Sequence, residues 1–171
     1  MKSFSLTCFV LASVALASAL KVPKDALHAE CSVTWTVNEA CESSQEKIID
    51  QINAWDNEDC GTQPGDTEPN GQKCLYKYGG SDGLYTYGTH TTPIARYVDD
   101  IDFTFIPQSD GSCQIDGHSK SQTLSLLDYG TNYCNVFNLM DGSGLTQDPG
   151  YTETSSNSVC TQYSSADCDI Y

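Results

Sequence analysis

The sequence predicts an α+β fold: a mostly antiparallel sheet of about four to six strands, two helices packed on one face, and disulfides locking the whole. Three observations lead there. Several short segments alternate apolar and polar residues, as half-buried strands do. Two others carry apolar residues at helical spacing. Of nine cysteines, all but Cys8 follow an apolar leader, and the even remainder suits pairing in an oxidising compartment.

The leader reads as a processing segment. Lys2 precedes an apolar run from Phe4 to Ala17, and Ala17-Ser18-Ala19 is a small-x-small cleavage signature. The expected organisation is therefore a signal peptide over 1–19, cleaved after Ala19 with Ala17 as the alternative. A leader or flexible arm follows over 20–30, then a single α+β domain over 31–171 with a polar C-terminal extension. The apolar run is shorter than the roughly 20 residues a bilayer crossing takes, and no later stretch approaches that length, so no membrane span is expected. A chain of this size suits one domain with a real core, which disulfides reinforce rather than replace.

The expected disulfide cysteines are Cys31, Cys41, Cys60, Cys74, Cys113, Cys134, Cys160 and Cys168. Pairing Cys60 with Cys74 and Cys160 with Cys168 closes two short polar loops, and the remaining pairs stay open. Zinc is not expected, because no CxxC occurs and the three histidines are scattered.

The first strand is Cys31 to Val37, with Val33, Trp35 and Val37 on one face. Ser43-Ser44-Gln45-Glu46 has the form of a capping box, and Ile48, Ile52 and Trp55 follow it at i, i+4 and i+7. Asp56 to Gln72 is an acidic surface loop. Asp56, Glu58 and Asp59 invite a calcium reading, but the EF-hand ligand spacing with its central Gly and closing Glu is missing. Lys73 to Tyr78 is a candidate strand, Gly79 to Gly83 a turn, and Leu84 to Thr92 a further strand. In Val98 to Phe105, Ile101, Phe103 and Phe105 share a face; Pro107 to Ser112 turns the chain, and Cys113 to Ser121 returns with Ile115 on the apolar side. A second helix carries Tyr133, Val136, Phe137 and Met140 at helical spacing and stops at Asp141-Gly142-Ser143-Gly144. The Ser/Thr/Asp-rich remainder offers an edge strand at Val159 to Tyr163.

Four residues stand out as structural turn and cap positions. Asp99 has the parity of the buried face, which calls for hydrogen bonds, with backbone amides near Gly130 or Asn132 as the expected donors. A general acid or base is the sharper reading of the same residue. Asp128 suits a cap for the following turn, and Gly130 tolerates φ > 0. The neighbouring Asp99 and Asp100 face opposite ways on a strand and so cannot form a proton-sharing dyad. His118, Asp128 and a serine make a triad on paper, but no G-x-S-x-G elbow accompanies them. Tyr76, Tyr78, Tyr85, Tyr87, Tyr97 and Tyr129 fall around the expected sheet, either as strand packing or as an aromatic platform for a glycan, small apolar ligand or protein.

The segments Tyr97-Val98-Asp99-Asp100-Ile101-Asp102-Phe103, Ile115 with Ser119-Lys120-Ser121, and Asp128-Tyr129-Gly130-Thr131-Asn132 resemble domain-of-unknown-function family 1499. The likeness runs roughly from Ser43 to Met140. It departs at the family's arginines, near which this chain has His118, Gln122, Tyr133 and Asn135, and one extra residue separates Ser121 from Asp128. The resemblance implies a fold and no activity.

The formal charge is −15, with Lys+Arg 8 against Asp+Glu 23. Such a surface disfavours nucleic acid and anionic membranes, both of which need Lys/Arg footprints. The expectation is a secreted, extracellular protein, monomeric, without cofactor or metal, that binds an unknown extracellular partner or ligand or serves a structural role. The alternative is a small secreted hydrolase using a carboxylate or His118.

Overall fold

The computed structural model describes residues 27–60 and 72–171; the expected signal peptide, the arm as far as Ala26 and most of the acidic loop lie outside them. Six strands form one sheet: β1 (Glu30–Val37), β2 (Tyr76–Asp82), β3 (Tyr85–Thr91), β4 (Val98–Pro107), β5 (Cys113–Ser121) and β6 (Thr152–Thr154). Their order is β2-β3-β4-β5-β1-β6, and every neighbouring pair is antiparallel. Helix α1 (Cys41–Ala54) follows β1, and α2 (Thr131–Gly142) follows β5. The α+β class, the antiparallel sheet, the two helices and the disulfides are all present.

Topology explains why both helices share a face. Alternating directions make β1 parallel to β2 and β5 parallel to β6, so α1 and α2 are crossover connections. The two crossovers run in opposite directions across the sheet and start from oppositely directed strands. The right-handed rule for such crossovers then sends both to the same side. There, Ile48 and Ile52 from α1 and Val136, Leu139 and Met140 from α2 join one core with Val33, Trp35, Ile101, Phe103, Phe105 and Ile115. Period-two alternation puts these strand residues inside, and the opposite face stays open.

Several local expectations are corrected. Helix α1 starts at Cys41 behind Ala40 without a side-chain cap; the Ser43 hydroxyl donates to the Glu39 carboxylate instead of forming a box with Glu46. β2 runs through Gly79 and Gly80, and the turn shrinks to Gly83-Leu84 between the paired Asp82 and Tyr85. The Tyr87 ring lies across these glycines: a Cβ at Gly79 would meet its Cδ2 at 2.7 Å. Leu27 to Glu30 belong to the sheet end rather than to a loose arm, with Ala29 buried and its carbonyl accepting from Ser121 N–H at 3.0 Å. The edge strand is Thr152–Thr154, while Cys160 makes only an isolated bridge to Cys31.

All eight cysteines among the described residues are bonded, as Cys31–Cys160, Cys41–Cys113, Cys60–Cys74 and Cys134–Cys168. The expected Cys60–Cys74 pair is present; Cys160–Cys168 is not. The reason is the path of the C-terminal segment. It crosses the outer side of α2, where Cys168 meets Cys134 and the Tyr171 carbonyl accepts from Asn138 Nδ2 at 3.0 Å. With the sheet on one side and this segment on the other, α2 is buried nearly all round.

Candidate functional site

At the end of the sheet where β4 begins and β5 ends, three chain segments enclose a cavity of about 510 Å³. The β3–β4 connection supplies Ile94 and Tyr97, the β5–α2 connection Leu124 and Leu127, and the C-terminal segment Tyr171, stacked on Tyr129 at 6.2 Å. The mouth is apolar and solvent-facing: Ile94 is 63% exposed and Leu124 66%. Side chains of this kind sit in connections without periodicity, so pattern reading passed over the cavity.

The floor is polar. Alternation along β4 turns Asp99 inward, and register sets it opposite Ser121 of β5. Asp99 is 2% exposed. Its Oδ1 accepts from Ser121 Oγ at 2.7 Å and its Oδ2 from Asn135 Nδ2 at 2.8 Å. The donors are therefore side chains, not the backbone amides near Gly130 and Asn132. Burial pushes the Asp99 carboxyl above its ordinary pKa; the bonds from Ser121 and Asn135 pull it back, and the Asp100 charge pushes it further up.

Beneath lies a connected network. Asn135 Nδ2 also donates to Ser119 Oγ at 3.1 Å, and Ser119 Oγ donates to Asn132 Oδ1 at 2.7 Å. Asn132 Nδ2 donates to Asp128 Oδ2 at 2.8 Å. The Asp128 carboxylate takes the N–H groups of Gly130 and Asn132, both at 3.1 Å, so it caps the entry to α2 from three residues before Thr131. Gly130 has φ +81° and abuts Ala166, where a Cβ would come within 2.5 Å of that side chain. Asp99, Ser119, Ser121, Asp128, Gly130 and Asn132, from β4, β5 and the entry to α2, thus meet in one place.

His90 stands opposite Asp99 on β3 and is fully buried. Its Nε2 lies 3.1 Å from the Gln72 carbonyl, which can only accept, so this nitrogen carries the proton. Burial lowers the imidazole to about 4, against the pull of the Gln72 carbonyl and Asn135, and it is neutral at physiological pH. Among the described residues, the buried side-chain atoms without a partner are His90 Nδ1 and Gln72 Oε1. Both are acceptors. Sequence reading assigned Gln72 only to a loop and did not link His90 to Asp99.

His118 lies on the open face, paired with Asp102 at 3.2 Å, not with Asp128. The two sheet histidines therefore occupy opposite faces and share no site. Nor do the tyrosines form one platform. Tyr76 is in the core, Tyr85 and Tyr87 stack at 5.9 Å on the open face, and Tyr97 and Tyr129 flank the cavity. With every cysteine of the domain bonded, a thiol nucleophile is absent among the described residues. No three His, Cys, Asp or Glu side chains there converge to hold a metal ion. No described helix is long and apolar enough to cross a membrane.

No family model, curated protein or solved structure matches the chain.

Proposed function

We propose that this is an extracellular, non-enzymatic binding protein whose cavity takes a small molecule with an apolar body. Four disulfides fit an oxidising compartment, and the leader read from the sequence is consistent with export. The observation that carries the reading is the cavity itself: an exposed aliphatic and aromatic mouth over a few convergent polar groups, the usual composition of a ligand site. We also place the chain beside family 1499, since the residues that suggest the likeness build the floor of this cavity.

The chemistry of the site supports binding over turnover. Ser121 donates straight to a carboxylate, and among the described residues no histidine lines the cavity to act as its base. The half-exposed His118–Asp102 pair lies on the sheet's open face, away from the enclosing walls. Nile red, a neutral dye that brightens in apolar surroundings, tests the reading. Saturable binding is expected, weakened about tenfold or more when Leu124 and Leu127 are both changed to Ser, because each removes apolar wall worth about 1 kcal/mol or more. Absence of saturable binding would overturn the proposal. Ester hydrolysis abolished by His118→Ala would favour the hydrolase instead.

A further inference from the structure

We propose that the ligand is an amine: its ammonium group sits on Asp99 and Gln72 Oε1 while its apolar body lies against Leu124, Leu127 and Tyr97. This rests on the cavity being a ligand site and adds the chemical class that it takes.

The charge pattern carries the argument. Among the described residues, two carboxylates, Asp99 and Asp128, line the cavity, and no Lys, Arg or His does. A carboxylate held away from water is ordinarily matched by a cation. Asp99 instead has two neutral donors, Ser121 Oγ and Asn135 Nδ2, one on each oxygen. Each carboxylate oxygen can accept twice, so capacity for further donors remains. Asp128 is already occupied by the Gly130 and Asn132 amides and by Asn132 Nδ2, and contributes its field rather than a bond.

A second, independent observation points the same way. Gln72 lines the cavity, is 6% exposed, and its Oε1 accepts from nothing. An unpaired buried acceptor is costly, and a donor arriving with a ligand removes that cost. A primary ammonium carries three donors and can serve both Asp99 and Gln72. Tyr97, Tyr129 and Tyr171 line the same cavity and add apolar surface for the ligand's body. The chain's formal charge of −15 raises the local concentration of cations and repels carboxylic acids.

The test uses three probes of similar shape: 2-phenylethylamine, 2-phenylethanol and 3-phenylpropanoate, titrated calorimetrically into the disulfide-intact protein at pH 7.5. The amine is expected to bind about tenfold or more tighter than the alcohol, as charge-assisted hydrogen bonds in a desolvated site require. The acid is expected not to bind. Asp99→Asn should erase the gap between amine and alcohol. Gln72→Leu, which removes the unpaired oxygen and so favours folding, should weaken the amine several-fold. An amine that binds no tighter than the alcohol, or a gap that survives Asp99→Asn in a folded variant, overturns the proposal. If Nile red still saturates the wild-type protein in that event, only the amine assignment falls; if it does not, the cavity reading falls as well.

Discussion

Asp99 shows how one residue ties strand parity to chemistry. Alternation along β4 leaves it no choice but the inner face, beside Ile101, Phe103 and Phe105. Ionised there, it is held by neutral groups and carries a desolvation cost that the unliganded fold must bear. The sign of its effect on stability follows. Below the ordinary carboxylate range, folded and unfolded chains are both protonated at this residue. As pH rises, the unfolded chain ionises first, and the stability of the folded chain declines until pH passes the raised folded value. Asparagine at this position can accept from Asn135 and donate to Ser121 without a charge. Asp99→Asn is therefore expected to melt at or above the wild-type temperature at pH 7, with the gap closing by pH 3.5. A variant that melts well below wild type at pH 7 would show that the carboxylate stabilises the fold.

At the scale of elements, one side chain anchors β6 and ties it to the segment behind it, which the Cys31–Cys160 and Cys134–Cys168 bonds also hold. Three residues of edge strand cannot hold themselves in place. Glu153 of β6 points toward the helices and accepts from Trp35 Nε1 at 2.8 Å and from the hydroxyls of Tyr133, Tyr151 and Tyr163 at 3.0, 2.9 and 2.9 Å. These donors come from β1, α2, β6's own approach and the C-terminal segment, so one carboxylate joins four stretches of chain. Burial first, and then the Glu153 charge, push the phenols of Tyr133 and Tyr151 above their ordinary range, which keeps them protonated as donors. Glu153→Ala is expected to cost about 2–3 kcal/mol in urea unfolding, since the donors lose a charged acceptor. Amide exchange should quicken in 152–154 and around Tyr163 before it does in β4 and β5. Uniform exchange across the sheet would argue against a local anchor. No sequence pattern announces this cluster, because its members lie far apart in the chain and only the fold of the tail brings them together.

For the molecule as a whole, the β3–β4 register places a buried histidine against a buried carboxylate beneath the cavity. His90 is surrounded by Asp99 opposite on β4, Gln72, Asn135 of α2 and the Tyr76 ring at 4.3 Å. Its folded pKa of about 4 lies below the unfolded value of 6.5. Between these limits the unfolded chain binds a proton that the folded chain refuses, so stability is full above the upper value and falls as pH drops through the window. Asp99 changes in the opposite sense, and the Asp99→Asn background isolates the histidine. In that background, lowering the pH from 7 to 4 is expected to cost about 3 kcal/mol. The same titration with His90→Gln added should lack that portion. An unchanged slope would mean that His90 takes up its proton in the folded protein.

The sequence by itself determined the class of fold and its inner residues. Strand and helix periodicities are local properties, so β1, β4, β5 and the inner side of α1 could be read from neighbours along the chain; on α2, Val136 and Met140 join the core as expected, but Leu139 takes the place there that the spacing gave to Phe137. It also pointed to paired cysteines in the domain, but the short-loop argument that met Cys60–Cys74 failed for Cys160 and Cys168, so chain distance alone did not set the connectivity. Tertiary structure decided the rest. The route of the C-terminal segment chose Cys134 for Cys168 and Cys31 for Cys160, and strand order put β1 between β5 and β6. The cavity needed two connections and the C-terminal segment to meet at one sheet end, with Gln72 brought to the same place from the stretch before β2. Periodicity records which side of an element faces the core; it holds nothing about which ends of different elements come together, and that meeting is what makes this site.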